Sequence, residues 1–301
     1  ADASDAALRA AAARLAASRP TAVNLRWGID RMLGTLLSSA PGARREAAWA
    51  GAQALEAAEY LCCERIGEHG LGLLRDVAAG AAVQARGRIN VLTHCNAGWL
   101  ATGAWGTALA PVYRAVEAGF PLHVWVDETR PRNQGARLTA WELAEAGIPH
   151  TLIVDSAAGQ LMRQGEVDLC IVGSDRTTRT GDVCNKVGTY QKALAARDNG
   201  LPFYVALPLS TIDWGISDGL RDIPIEARDA AEILWADGLS PDGSTGRLRH
   251  AAPGCAALHL AFDVTPARLV SALVCEHGVV EASEAGLAPL RAMAAGEGAG
   301  L

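Results

Sequence analysis

At 301 residues the chain holds one large domain or two modest ones, because a single hydrophobic core stops growing near ~250–300 residues. Half of it is apolar and a fifth charged, with 32 glycines and 13 prolines, a globular composition that excludes a disordered, collagen-like or coiled-coil chain. Twenty-seven basic against 33 acidic residues leave a net charge of −6, which offers no polycation to a nucleic-acid backbone or an anionic membrane.

The first third reads as helices. Ser4–Ser18 is Ala-rich and stops at Arg19-Pro20, where the proline pushes Arg19 out of the α region. Val23–Leu37 is loosely helical in period, Ala43–Arg65 continues as helix to a stop near Gly67, and a further helix runs from about Glu68 to Ala85. From Arg88 the texture changes. Short apolar runs at Ile89–Leu92, Leu122–Val126, His150–Val154, Leu169–Val172 and Phe203–Leu207 alternate with helix-like stretches at Trp99–Ala118, Arg137–Ala146, Ala157–Arg163 and Thr189–Ala196. Two late runs, Leu258–Ala261 and Gly278–Val280, read as further strand. The pattern predicts an α/β protein: a helical N-terminal domain over residues 1–86, then a Rossmann-like open, mostly parallel sheet over 87–301 with helices on both faces. The first domain opens on Ala1 and is expected to be incomplete at its start.

The uncharged run Cys95–Tyr113 has spanning length, but Gly98, Gly103, Gly106 and Pro111 interrupt it, so no membrane helix is read there. No secretory leader is read. Seven irregularly spaced cysteines do not make a disulfide framework and fit a reducing cytoplasm. Cys62, Cys63, Cys170, Cys255 and Cys275 read as small buried hydrophobes.

In a parallel open sheet, ligands bind beyond the carboxyl ends of the strands. Thr93-His94-Cys95-Asn96-Ala97-Gly98 follows the first run, Asp127-Glu128-Thr129-Arg130-Pro131 the second, Gly173-Ser174-Asp175-Arg176 the fourth and Pro208-Leu209-Ser210-Thr211-Ile212-Asp213 the fifth. Cys95 stands between a strand end and a helix start, where backbone N–H groups and the helix dipole are expected to lower a thiol pKa. Asp175 is the second candidate across the rim, although an Asp there is more often a cap or loop carboxylate. Arg19, Arg130, Arg132, Arg176 and Lys186 point to one small anionic ligand, though each arginine alone reads as a surface or salt-bridging group.

Other chemistries find less support. The glycines do not form G-x-G-x-x-G, and no acidic residue stands at ribose distance, so a dinucleotide is not expected. Cys62-Cys63 point about 100° apart on a helix and lack a partner pair, and the histidines are scattered, so no metal site is read. No G-x-S-x-G elbow supports a serine triad. The residues alone point to an α/β enzyme acting on a small phosphorylated or carboxylated molecule, with Cys95 and Asp175 as candidate machinery.

A dense set of motifs goes further. Arg19-Pro20-Thr21-Ala22-Val23-Asn24-Leu25, Leu92-Thr93-His94-Cys95-Asn96-Ala97-Gly98, Glu128-Thr129-Arg130-Pro131 and Gln134-Gly135-Ala136-Arg137-Leu138-Thr139-Ala140-Trp141-Glu142-Leu143 come first. Val172-Gly173-Ser174-Asp175-Arg176, Gly181-Asp182-Val183-Cys184-Asn185-Lys186-Val187-Gly188-Thr189-Tyr190, Ile223-Pro224-Ile225-Glu226 and Ala261-Phe262-Asp263-Val264-Thr265-Pro266 follow. In this order, from Arg19 to Val280, the chain resembles the methylthioribose-1-phosphate isomerases, within the superfamily of the translation-initiation exchange-factor regulatory subunits.

The resemblance implies a homodimer without metal or organic cofactor, isomerising an aldose 1-phosphate to the 1-phosphoketose in methionine salvage. It implies Cys95 and Asp175 as the catalytic pair, with Arg19, Gln134, Asn185 and Lys186 holding the phosphorylated sugar. Two departures stand out. The family's Arg-Gly-Ala-Pro phosphate loop ahead of Arg19 is not in this sequence, and Thr177-Thr178-Arg179-Thr180 replaces small residues and an asparagine. Chemically, a 1-phosphorylated sugar is locked as a ring, and opening it needs a proton on the ring oxygen from an acid such as Asp175. Cys95 then accepts the O2 proton or stabilises charge there, and hydrogen moves from C2 to C1 as hydride or through an enolate. A ribose-1,5-bisphosphate isomerase, which would need a second cation cluster, and a non-catalytic regulatory subunit, which would lose the pair, are the rival readings.

Overall fold

The computed structural model describes residues 2–297, and none of the described helices is long and apolar enough to cross a membrane. Four helices lead: α1 (Asp5–Ala16), α2 (Val23–Ser38), α3 (Arg44–Ala78) and α4 (Ala81–Arg86). Next come β1 (Ile89–Thr93), α5 (Trp99–Thr102), α6 (Ala110–Glu117) and β2 (Leu122–Asp127). A π-helical turn at Gly135–Thr139 runs into α7 (Ala140–Glu145), followed by β3 (His150–Ile153), α8 (Ala158–Arg163) and β4 (Leu169–Val172). Then follow β5 (Arg176–Thr178), β6 (Val183–Lys186), α9 (Thr189–Asp198), β7 (Phe203–Ala206) and β8 (Ile212–Asp213). The last third holds α10 (Gly219–Asp222), β9 (Ala227–Arg228), α11 (Ala231–Leu234) and the hairpin β10 (Trp235–Leu239)–β11 (Thr245–Arg249). It closes with β12 (His259–Leu260), β13 (Phe262–Thr265), β14 (Ala272–Cys275), β15 (Gly278–Val280) and α12 (Glu284–Glu297).

The main sheet has seven strands in the order β3-β2-β1-β4-β7-β14-β15, parallel except for the antiparallel β15 edge. The winding therefore reverses between β1 and β4, and the carboxyl ends of those two neighbours open the crevice in which such sheets bind ligands. Alternation along the strands builds two cores. Ile89, Val91, Val124, Val126, Leu169 and Ile171 face Ile66 and Leu74 of α3 and Val112 of α6. Leu92, Cys170, Val172, Phe203 and Val205 face Met162 of α8, Ala193 of α9 and Leu287 of α12. A smaller sheet, β13-β6-β5-β8, stands beyond β4 and carries Asn185 and Lys186 on β6.

Several elements differ from the sequence reading. The predicted break near Gly67 is absent, and α3 runs unbroken through Gly67 and Gly70. These glycines serve close packing: a Cβ on Gly70 would lie 2.3 Å from Pro111 Cγ on α6. The predicted helix Trp99–Ala118 is instead two helices, because the chain turns at Gly103 and Gly106, both at φ 76°. A Cβ on Gly106 would also lie 2.4 Å from Gly98 Cα. Leu258–Ala261 yields only a two-residue strand that pairs with β9, outside the main sheet. Of the cysteines read as buried, Cys255 is exposed and Cys62 half-buried.

Candidate active site

Cys95 leaves the end of β1 in the left-handed region, at φ 66°, which a non-glycine residue holds only when its surroundings fix it. Its N–H donates to Thr129 Oγ1 at 2.9 Å, and its carbonyl accepts from Thr139 Oγ1 at 2.6 Å. Asn96 Nδ2 donates to Thr139 Oγ1 and to Glu142 Oε1, at 3.1 and 2.9 Å. The fully buried Glu142 carboxylate also takes the Trp99 and Leu100 N–H groups and the Tyr113 hydroxyl, each at 3.0 Å. Four donors make a buried carboxylate tolerable and fix the loop that presents the thiol.

Asp175 follows the end of β4, and its N–H donates to the Cys184 carbonyl of β6 at 2.9 Å. Arg176 draws the N-terminal segment onto it: Nε donates to the Thr21 carbonyl at 2.9 Å and Nη2 to the Pro20 carbonyl at 2.8 Å. Its Nη1 meets Asp213 Oδ2 at 2.9 Å, so Arg176 is a strut rather than a free rim cation. The strut brings Arg19 to within 3.8 Å of Asp175 Oδ1. Lys186, the last residue of β6, is buried with its ammonium 4.2 Å from the Phe262 ring centroid.

These groups act on one another. Solvent reaches 22% of the Asp175 side chain, yet enough protein encloses the carboxyl that burial pushes its pKa up to about 6. Lys186 and Arg19 pull against that rise, and Glu226 adds to it. Burial and then the Asp175 charge push the Cys95 thiol up to about 11, against the opposing influence of Lys186, the Asn96 N–H and Arg19. The sequence expectation of a lowered thiol pKa is therefore reversed: the adjoining α5 has only four residues, and burial beside a carboxylate outweighs its N-terminus. Burial lowers the Lys186 pKa, and Cys95 and Asp175 oppose that.

The other two expected site residues stand differently. Gln134 Oε1 is buried with no hydrogen-bond donor among the described residues. Asn185 is buried, and its Nδ2 is taken by Thr189 Oγ1 at 3.0 Å. A cavity of 640 Å³ between α2, α3 and α12 shares none of these residues.

Sequence reasoning missed the layer behind the thiol. His94 Nδ1 lies 3.0 Å from Asp127 Oδ2 and Nε2 2.9 Å from the Val187 carbonyl, with Lys192 Nζ 2.7 Å from the same Asp127 oxygen. Ligand atoms of His94, Asp127 and Asp155 lie within 4.8 Å of one another, the spacing of a metal site. They do not fit one. The Asp155 oxygens accept from the Thr129 and Arg130 N–H groups at 2.7 and 2.8 Å, the His94 nitrogens are engaged, and Lys192 already supplies the cation.

The sequence profile of the initiation factor 2 subunit family matches residues 4–282. The chain belongs to that family. Within it, the chain is 57% identical over 289 residues to a methylthioribose-1-phosphate isomerase of Methylorubrum extorquens, covering 96% of this chain and 78% of that one. It is 53% identical over 293 residues to the enzyme of the same name from Escherichia coli, covering 96% and 77%. The fold superimposes on the crystal structure of 5-methylthioribose 1-phosphate isomerase from Pyrococcus horikoshii with a TM-score of 0.78 at 36% identity, covering 95% of this chain and 75% of that one. Another family member, subunit delta of translation initiation factor eIF-2B from A. fulgidus, gives 0.73 at 40% identity, covering 92% and 75%.

Proposed function

We propose that this chain is an aldose–ketose isomerase that converts 5-methylthioribose 1-phosphate into 5-methylthioribulose 1-phosphate in methionine salvage. The observation that carries the reading is a carboxyl raised to about 6 beside a protonated thiol and a buried ammonium, at the crevice between β1 and β4. The names of the relatives support the same substrate.

Lys186 and Arg19 take the phosphate, with Asn185 and Gln134 completing the hold on phosphate and hydroxyls. A bound phosphate dianion offsets the two cations that now restrain the Asp175 pKa. Binding therefore drives Asp175 toward its acid form, in which it protonates the ring oxygen and breaks the C1–O bond. Hydrogen then moves from C2 to the electron-poor C1, and O2 releases its proton. At a pKa of about 11 the thiol carries its own proton at neutral pH. Cys95 thus works as a relay that takes the O2 proton in step with return of a proton to Asp175, and not as a standing thiolate. One proton enters, one leaves and hydrogen moves within the substrate, so the sequence balances without metal, redox partner or organic cofactor.

Ribose 1,5-bisphosphate would need further uncommitted cations. Arg132 and Arg228 act on Lys186, but Glu232 lies 4.0 and 2.8 Å from them and Glu226 3.6 Å from Arg228. Incubation with each sugar phosphate, followed by NMR, tests the reading. Ketose from the methylthio sugar is expected, and turnover of the bisphosphate alone would overturn it.

We further place the enzyme in the cytoplasm as a homodimer. Seven free cysteines support the first, and Leu239 and Leu248, exposed on opposite faces of the β10–β11 hairpin, support the second as a ribbon that a partner covers on both sides. Sedimentation equilibrium should show a dimer that Leu239→Glu with Leu248→Glu weakens.

A further inference from the structure

Two segments carry the proposed reacting groups: the end of β1 leads to Cys95, and the end of β6 presents Lys186. They belong to different sheets, and one side chain spans them. His94 precedes Cys95 and is fully enclosed, with its Nε2 2.9 Å from the carbonyl of Val187, the residue after Lys186. On its other side Nδ1 faces Asp127 Oδ2 at 3.0 Å. Both neighbours are acceptors, a carbonyl and a carboxylate. A neutral imidazole donates from one nitrogen only, so the ring satisfies both contacts only when both nitrogens carry hydrogen.

The surroundings suit such a ring. Lys192 Nζ shares Asp127 Oδ2, and the Asp263 carboxylate accepts from the Gly188 N–H at 2.7 Å and from the Tyr190 N–H at 3.2 Å. His94 and Lys192 both act on Asp263. The Lys192 ammonium meets three carboxylates here, Asp127, Asp155 and Asp263, so a second hydrogen on the ring has acceptors and opposite charge around it. The turn is shaped for this contact: Gly188 stands at φ 104°, and a Cβ there would lie 3.1 Å from the ring.

We propose that His94 is a positioning residue: as a double donor it clamps the Cys95 end of β1 to the Lys186–Val187 end of β6, fixing the spacing of thiol and ammonium. The proposal rests on the isomerase reading for its purpose, but its test does not require the substrate. In wild-type protein labelled with ¹⁵N-histidine, the His94 ring, assigned by its nuclear Overhauser contacts with the Gly188 protons, should show two protonated nitrogens at neutral pH. One unprotonated ring nitrogen would overturn the double-donor clamp, and this reading is made on the wild-type protein whether or not the variant folds.

The second measurement is alkylation of Cys95 by iodoacetamide in the protein with its native cysteines, followed at the Cys95 peptide by mass spectrometry. Lys186 helps the thiol ionise. Letting the two segments drift should therefore slow alkylation of folded His94→Gln by at least about threefold at fixed pH, because only the thiolate reacts. A residue that merely packs would lower the melting temperature and leave that rate unchanged, and such a result sinks the proposal. Failure to isomerise methylthioribose 1-phosphate would sink the activity reading and leave both of these measurements standing.

Discussion

Asp175 raises the pKa of the Cys95 thiol from the end of the neighbouring strand, so the two candidate reacting groups are coupled through a shared, partly enclosed space. A carboxylate and a thiolate there would repel each other. The pair therefore rests with its thiol protonated, and the carboxyl is the group whose charge changes near neutral pH.

Replacing that acid should separate binding from chemistry. Asp175→Asn keeps the shape and loses the proton donor, while Lys186 and Arg19 remain to hold phosphate. Turnover should fall by about 10²–10⁴, the scale of general acid catalysis, with the substrate dissociation constant little changed in isothermal titration calorimetry. Normal turnover would remove Asp175 as the acid.

The pH profile carries a definite sign. The acid form of Asp175 is lost as pH rises through about 6, so kcat/KM should fall about tenfold per unit above that value. The kcat limb should lie at higher pH, because bound phosphate offsets Lys186 and Arg19. Stability follows the same direction. The carboxyl sits above its ordinary value of 3.8, so the folded chain keeps a proton that the unfolded chain releases. That contribution is complete below pH 3.8 and is lost as pH rises through about 6. At pH 8 Asp175→Asn should thus be more stable than wild type, by about 1–3 kcal/mol in urea denaturation.

Cys95→Ser and Cys170→Ser should separate mechanism from packing. The first should fold and lose turnover by on the order of 10²-fold or more, since a hydroxyl relays this proton poorly. The second places a hydroxyl in a fully buried strand position and should cost about 1–3 kcal/mol of stability with turnover retained. Equal activity of Cys95→Ser and wild type would take the thiol out of the mechanism.

Much of this site is legible in the sequence, and the rest fails for identifiable reasons. The runs before Cys95 and Asp175 are apolar because β1 and β4 are buried on both faces, so the strand ends stand out. By contrast β5, β6 and β13 are short and mix polar with apolar residues, and their pairing, such as Asn185 with Asp263, joins distant segments with no local signature. The thiol pKa is misread for a related reason. A helix start is visible locally, whereas enclosure and the charge of Asp175 exist only after folding. Gly67 reads as punctuation because sequence does not distinguish a helix stop from a close helix crossing.

That crossing makes a prediction of its own. A methyl group on Gly70 would lie 2.3 Å from Pro111 Cγ, too close for any side-chain rotation to relieve. Gly70→Ala must push α3 from α6, and overpacking of this kind should cost about 1–3 kcal/mol in thermal denaturation. Gly72→Ala, with nothing within 4 Å of its Cβ, is the control and should leave stability equal or slightly raised.

The route of the migrating hydrogen can be argued from the bases at hand. An enolate route needs a group to remove the C2 proton and return it to C1. Cys95 has its thiol pushed up to about 11, and Asp175, raised to about 6, is in the proposed mechanism the acid of ring opening. His94 lies behind the loop with both nitrogens engaged, and Lys186, whose pKa burial lowers, is assigned in the proposed mechanism to the substrate phosphate. None of these is a ready base for a carbon-bound proton, whereas a hydride shift from C2 to the electron-poor C1 asks only for a site that excludes water. Substrate deuterated at C2 and turned over in ordinary water should therefore keep its label, now on C1 of the ketose, as read by NMR and mass spectrometry. Washing out of the label would require an enolate open to solvent and a base among these residues, and it would overturn the hydride route while leaving Asp175 as the acid.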